Sequence, residues 1–288
     1  MTHPTHRWMS AVATLATVSG RAAPCLATAC LLLPACAAPA AAAAAPQSVA
    51  QTPPAACMPI SKAPLVHQNF HPWAGKISPD GIWRINGLWV GVGGNTIDPS
   101  LAKLTWDFDK KTTGFMSMTV DANQLRGSEL QTITSPGYNY GYYEARMMPS
   151  SVPGVVDSFF WIQAPNYGPL EIDIEFLTKE FTSTSGTVHF TIHPSNKTYI
   201  QTLNFNPAAA FHKYGFLWTP GTAEFYVDGQ PVVSLSDSTL TSTVGGFIMA
   251  NTWTGNPNWG AGPPTSNATS VYDWLLFYPY QSGASTHC

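Results

Sequence analysis

Three carboxylates stand at alternate positions in the run Leu170-Glu171-Ile172-Asp173-Ile174-Glu175-Phe176, in a chain where only 10% of residues are charged. Residues two apart in an extended strand share a face, so Glu171, Asp173 and Glu175 point one way while Leu170, Ile172, Ile174 and Phe176 point the other. The apolar set reads as a core face. Three like charges stacked on the opposite face repel one another and raise at least one pKa, an arrangement that adds no stability. A solvated edge would need cation partners, and Lys179 is the only cation close by in sequence.

Distance narrows the chemistry. At about 3.3 Å per residue, the backbones of Glu171 and Glu175 lie roughly 13 Å apart. Side chains that each reach inward by about 3.5–4 Å bring the carboxyl groups to roughly 5–6 Å, which is the separation of a retaining glycosidase. An inverting enzyme needs about 6.5–9.5 Å to admit a water between the two groups. Asp173, midway, is placed to hydrogen-bond one glutamate and set the two pKa values apart.

Carbohydrate chemistry also needs flat surfaces for sugar rings. Tyr138, Tyr140, Tyr142, Tyr143, Phe160, Trp161, Tyr167, Trp253 and Trp259 lie in strands or loops able to line one sheet, although at least half of such aromatics are expected in the core. The stretch "MANTWTGNPNWG", with Asn251, Trp253, Asn256 and Trp259, is the one least explained by core packing.

The elements that must position these residues are strands. From Lys62 onward short β-rich runs recur between turn signals, among them "GFMSMTV", "SELQTITS", "YGYYEARMM", "VVDSFFWIQ", "LEIDIEF", "GTVHFTIH", "HKYGFLWT", "QPVVSLS" and "GGFIMANTW". This pattern predicts an all-β, two-sheet antiparallel sandwich in one domain, with Asp228-Gly229 as the clearest hairpin turn. With 288 residues, 44% of them hydrophobic, the chain can bury a large core. A formal net charge of −3 excludes the clustered Lys and Arg of a nucleic-acid binder or a polybasic membrane-surface protein.

Residues 1–35 read as a secretory signal, an apolar run followed by small residues, with prolines that argue against a membrane span. Leu33-Pro34-Ala35-Cys36 offers a lipobox-like alternative in which Cys36 anchors a lipid; otherwise cleavage falls in the alanine tract. Residues 36–62 read as an Ala/Pro-rich tether and 63–288 as the folded domain. Signal removal leaves Cys57 and Cys288, which either form a disulfide in an oxidising compartment or remain two free thiols.

"EIDIEF" following "SFFWI", preceded by "SELQT" and "YGYYEARMMP" and followed by "FHKYGFLWTPGTAEFYVDG", "IMANTW" and "YDWLLFY", resembles glycoside hydrolase family 16 over roughly residues 114–280. The resemblance is to the branch whose catalytic strand, Glu-x-Asp-x-Glu, lacks a β-bulge; it includes lichenases and xyloglucan transglycosylases. It implies a concanavalin A-like jelly roll with Glu171 as nucleophile, Asp173 as assisting carboxylate and Glu175 as general acid/base. It further implies that Glu129, Asn251 and Trp253 contact sugar and that Asp273 is a candidate ligand of a structural calcium, with no cofactor needed for catalysis. Gln131 stands where lichenases carry Arg, as in the transglycosylases, and His189, Trp161 and Trp259 complete the expected binding residues. The expected protein is a monomeric, secreted or periplasmic, retaining endo-β-glycanase on a β-1,3-1,4- or β-1,3-glucan. Transglycosylation, a galactan-type substrate and a non-catalytic carbohydrate-binding sandwich are the alternatives.

Overall fold

The computed structural model describes residues 58–70, 76–87, 89–90, 95–106, 114–133, 137–254 and 262–282. The expectations for the signal, the tether up to residue 57, Cys36, Cys57, Asn256, Trp259 and Cys288 lie outside the described residues. In chain order the strands are β1 Val66–Gln68, β2 Trp83–Ile85, β3 Trp89–Val90, β4 Thr96–Ile97, β5 Ala102–Trp106 and β6 Gly114–Val120. There follow β7 Arg126–Thr132, β8 Gly141–Met148, β9 Val156–Gln163, β10 Glu171–Leu177, β11 Gly186–His193 and β12 Lys197–Leu203. The chain closes with β13 His212–Thr219, β14 Thr222–Val227, β15 Gln230–Ser236, β16 Gly246–Trp253 and β17 Ala268–Pro279.

These strands form two sheets. A nine-stranded sheet runs β12-β11-β10-β9-β16-β7-β4-β3, with β2 also on β7, and an eight-stranded sheet runs β15-β14-β13-β8-β17-β6-β5, with β1 also on β17. Every pairing is antiparallel except β4 with β7. The runs read as strands in the sequence coincide with β6, β11, β13 and β15 residue for residue, because each is bounded by Gly, Pro or polar turn residues. At the β14–β15 turn both Asp228 (φ 50°) and Gly229 (φ 77°) adopt left-handed backbone, as a two-residue I′ hairpin requires.

The core lies between the sheets and is rich in aromatic rings. Trp161 of β9 meets Trp218 of β13 with ring centroids 4.6 Å apart, Phe176 of β10 meets Tyr214 of β13 at 4.7 Å, and Phe190 of β11 stacks on Phe225 of β14 at 4.6 Å. Gly246 permits the Trp161 packing: a Cβ at that position would come 2.2 Å from the indole ring. No helix among the described residues is long and apolar enough to cross a membrane.

Two expectations about aromatics are corrected here. Trp161, expected to bind substrate, is fully buried, and its Nε1–H donates to the Tyr138 carbonyl at 2.8 Å. The alternation of β9 places it opposite Ile172, on the core face, while Phe160 falls opposite Asp173. Tyr142 and Tyr143 belong to the other sheet: Tyr143 stacks on Phe216 in the core and Tyr142 lies on that sheet's outer side with Ile60, Leu217 and Tyr226. Tyr138 and Tyr140 likewise pack on core aromatics, Phe277 and Trp218.

Candidate active site

β10 is interior to its sheet, between β9 and β11, so both of its edges are paired. Ile172, Ile174 and Phe176 are completely buried in the core. On the opposite face Glu171 and Asp173 are also buried and Glu175 is half-buried. The ladder supplies their neighbours. From β11, His193 stands opposite Glu171, Thr191 opposite Asp173 and His189 opposite Glu175; from β9 the partners are Ile162, Phe160 and Ser158.

The register extends this face across the sheet. Asn251 of β16 lies opposite Ser158 on one side and Glu129 of β7 on the other, and Met249 lies between Phe160 and Gln131 in the same manner. β2 brings Arg84 opposite Gln131. Glu129, Gln131, Asn251 and Trp253 therefore share the face of the three acids, as their sequence positions suggest. Ser158 donates its hydroxyl to Asn251 Oδ1. Asn86 donates its amide to Glu129 and, at 2.8 Å, to Gln131 Oε1, which also accepts from the Tyr167 hydroxyl at 2.8 Å. The buried Gln131 Nε2 has no partner among the described residues.

Electrostatics follow from burial and crowding. Glu171 is pushed well above the usual carboxylate range by burial first, then by the charges of Asp173 and Glu175, and it shares a hydrogen bond with Asp173. Burial also raises Asp173, but His193 and the bond to Glu171 oppose that rise. Glu175 is pushed up to about 8 by burial and the Asp173 charge, with His193 pulling it back. The three acids titrate as one set, and the cleft retains protons at neutral pH. Such a set holds ionised and protonated carboxyl groups at once, Asp173 being the one whose ionised form its neighbours favour.

His189, expected to line this face, stands opposite Glu175, but its Nε2 lies 2.8 Å from Glu180 Oε2, which also accepts from Thr187. Of the alternating His189, Thr191 and His193, the sequence reading assigned a role to His189 and none to His193, whose Nε2 lies 3.3 Å from Asp173 Oδ2. The signal was present, since His189, Thr191 and His193 alternate along one strand and must share a face. Asn86 and Arg84 were missed as well. They sit on or next to a three-residue strand more than forty residues before their partners, with no periodicity to expose them.

Asp273 is in no cluster of acids among the described residues. Its buried carboxylate is paired with the Arg146 guanidinium, which also lies 4.8 Å above the Phe211 ring. A cation already bound to that carboxylate is a poor fit to a second, divalent one, which prefers several oxygen ligands.

Comparison with known proteins agrees with this geometry. The family model described as "Glycosyl hydrolases family 16" matches residues 100–275. A beta-glucanase of Bacillus amyloliquefaciens is 37% identical over 145 residues, 49% of this chain, and the match spans 59% of the relative's own length. A prokaryotic beta-1,3-1,4-glucanase (lichenase) derived from a mouse hindgut metagenome superposes with a TM-score of 0.59 at 27% identity, covering 74% of this chain and 98% of that one. The laminarinase catalytic domain of Thermotoga maritima shares the fold at 17% identity, with a TM-score of 0.58 over 75% of this chain and 98% of its own. Since the family match takes in more than half of the sequence, including every strand of the acid-bearing sheet from β7 onward, the chain belongs to glycosyl hydrolases family 16.

Proposed function

We propose that the chain is a retaining endo-β-glycanase that hydrolyses a β-1,3-1,4- or β-1,3-glucan by double displacement. One observation carries the reading: Glu171, Asp173 and Glu175 share one buried face of β10, in register with Glu129 and Asn251 across β9, β16 and β7. The names of its relatives, beta-glucanase and lichenase, support the choice of glucan.

In the first step Glu171 attacks the anomeric carbon and forms a glycosyl ester. The bond to the leaving oxygen breaks as Glu175, protonated at neutral pH because its pKa is raised to about 8, gives that oxygen a proton. In the second step Glu175, now ionised, takes a proton from water; the resulting hydroxide adds to the anomeric carbon and Glu171 is released with net retention. Asp173 shares a hydrogen bond with Glu171 and, by its own charge, sets how firmly Glu171 holds its proton. Glu129, Asn251 and the free Gln131 amide donor offer partners for sugar hydroxyls, and Trp253 a ring for stacking. The N-terminal apolar and alanine-rich segment supports export to the compartment where such polymers occur.

The test is a panel of lichenan, barley glucan, laminarin, xyloglucan, agarose and carrageenan, with proton NMR of the first product formed. New β-configured reducing ends from a β-glucan are expected. Products first appearing as the α-anomer, or reducing ends released only from the galactans, would overturn the reading.

A further inference from the structure

We infer that His193 is a positioning residue of the catalytic set: through Asp173 it fixes where the cleft's protons reside and so extends to lower pH the range in which Asp173 and Glu171 are ionised together. The inference rests on the proposed double displacement and adds a group to it.

The geometry is specific. His193 ends β11 directly opposite Glu171, and one side-chain atom each from Glu171, Asp173 and His193 lies within 4.8 Å of the others. The ring is held from both sides. Nδ1 lies 2.6 Å from Asn196 Oδ1 and Nε2 lies 3.3 Å from Asp173 Oδ2. Asn196 sits at φ 54° in the turn that follows β11, a conformation that asparagine tolerates better than most residues. A carbonyl oxygen cannot donate, so Nδ1 carries a hydrogen whenever it bonds Asn196 Oδ1. Nε2 is therefore the nitrogen that gains or loses the proton, and it does so against Asp173.

This orientation decides between two charge patterns. With Nε2 protonated, an ionised Asp173 lies against a cation, and the cleft holds a second ionised carboxylate, Glu171, at lower electrostatic cost. With a neutral ring or no ring, Asp173 and Glu171 hold one proton between them against mutual repulsion, and the pair gives it up only at higher pH. The surroundings of His193 favour the first pattern. The acids facing it are Glu171, Asp173 and Glu175, all from β10; His189 on its own strand is engaged by Glu180; Lys197 donates to the Ser236 carbonyl; and Asp237 meets the turn through Ser195. Burial lowers the affinity of the ring for a proton, but the bond and charge of Asp173, the Asn196 bond and the charge of Glu175 outweigh it and hold the imidazole above its ordinary value.

Two measurements test the inference. The first is the pH dependence of kcat/KM on a neutral glucan for the native chain, His193→Phe and His193→Lys. Phe should move the acid limb up by roughly one pH unit, and Lys, a cation at every relevant pH, should return it toward the native position. A uniform loss at all pH values, with the acid limb unmoved, would mark His193 as merely structural and overturn the inference. The second needs no turnover and no His193 variant. The imidazole of His193, followed by NMR in 13C/15N-histidine-labelled protein, should titrate roughly one unit lower in Asp173→Asn than in the native chain; an unchanged midpoint overturns the inference even if the Phe variant fails to fold. If no polysaccharide is cleaved while the NMR coupling is present, the glycanase reading fails and the coupling of His193 to Asp173 stands.

Discussion

The outer faces of the two sheets both bury acids, and they treat them in opposite ways. On the eight-stranded sheet each acid has a partner of another kind: Tyr142 donates to Glu144 at 2.6 Å, Tyr226 donates to Glu224, and Arg146 meets Asp273. On the nine-stranded sheet the acids face one another, and the nearby cationic group is the ring of His193. Both faces use strand alternation, and Glu144, like the catalytic acids, is raised by burial. The difference is spacing against like or unlike groups. A hydroxyl two residues from an acid in the same strand satisfies it; a second acid at the same offset makes a coupled, proton-retaining site.

The comparison breaks most severely at Glu171. Glu171→Ala should lower kcat/KM on glucan about ten-thousandfold or more while the circular dichroism of the sandwich is unchanged, and azide with an activated glycoside should yield an inverted product. Glu175→Ala should cost roughly a hundred- to ten-thousandfold on polysaccharide yet spare the first step of substrates with good leaving groups. Azide should then give a retained product, because it attacks the ester. Rescue products of one configuration from both variants would show the two roles to be misassigned.

At Trp253, half-buried at the end of β16, replacement by Ala should raise KM roughly tenfold through loss of a stacking surface, with little change in melting temperature. A large melting shift would place it with Trp161 as a packing residue. A pH series sharpens the contrast further. Because the folded-state pKa of Glu175 is raised from 4.5 to about 8, the stability it contributes is present at low pH and lost as pH rises across that interval. Glu175→Gln should melt close to the native chain near pH 4.5 and above it at pH 8, by a margin on the order of 1–3 kcal/mol. Glu144→Gln makes the smallest change: its amide oxygen still accepts from Tyr142, and kcat/KM should stay within about twofold.

Much of this was legible in the sequence wherever a strand was long enough to repeat its pattern. β6, β11, β13 and β15 match their sequence runs, and the faces of Glu171, Asp173 and Glu175 follow from period two alone. Trp161 failed for a reason the same rule contains. It lies opposite Ile172, so once β9 and β10 are paired it cannot share a face with Asp173; pairing register, unlike alternation, is not a local property. Tyr142 and Tyr143 could not be sorted from the aromatics of the acid face, because nothing local says to which sheet β8 belongs. His193 was visible but undervalued, since its importance comes from a partner on the next strand. Arg84 and Asn86 were invisible, being set by contacts with β7 across more than forty residues.

The connectivity of the nine-stranded sheet also sets the entropic cost of assembling its face. β9, β10, β11 and β12 are consecutive in the chain and adjacent in space, so the two glutamates, Asp173 and His193 come together by closing short hairpins. Glu129 joins them only through β16, whose Asn251 returns to pair with it more than a hundred residues later in the chain. Long loops close late and slowly. The acid set is therefore assembled by local pairings, whereas the polar residues that share its face across β16 and β7 are added by a pairing whose loop-closure entropy is far larger.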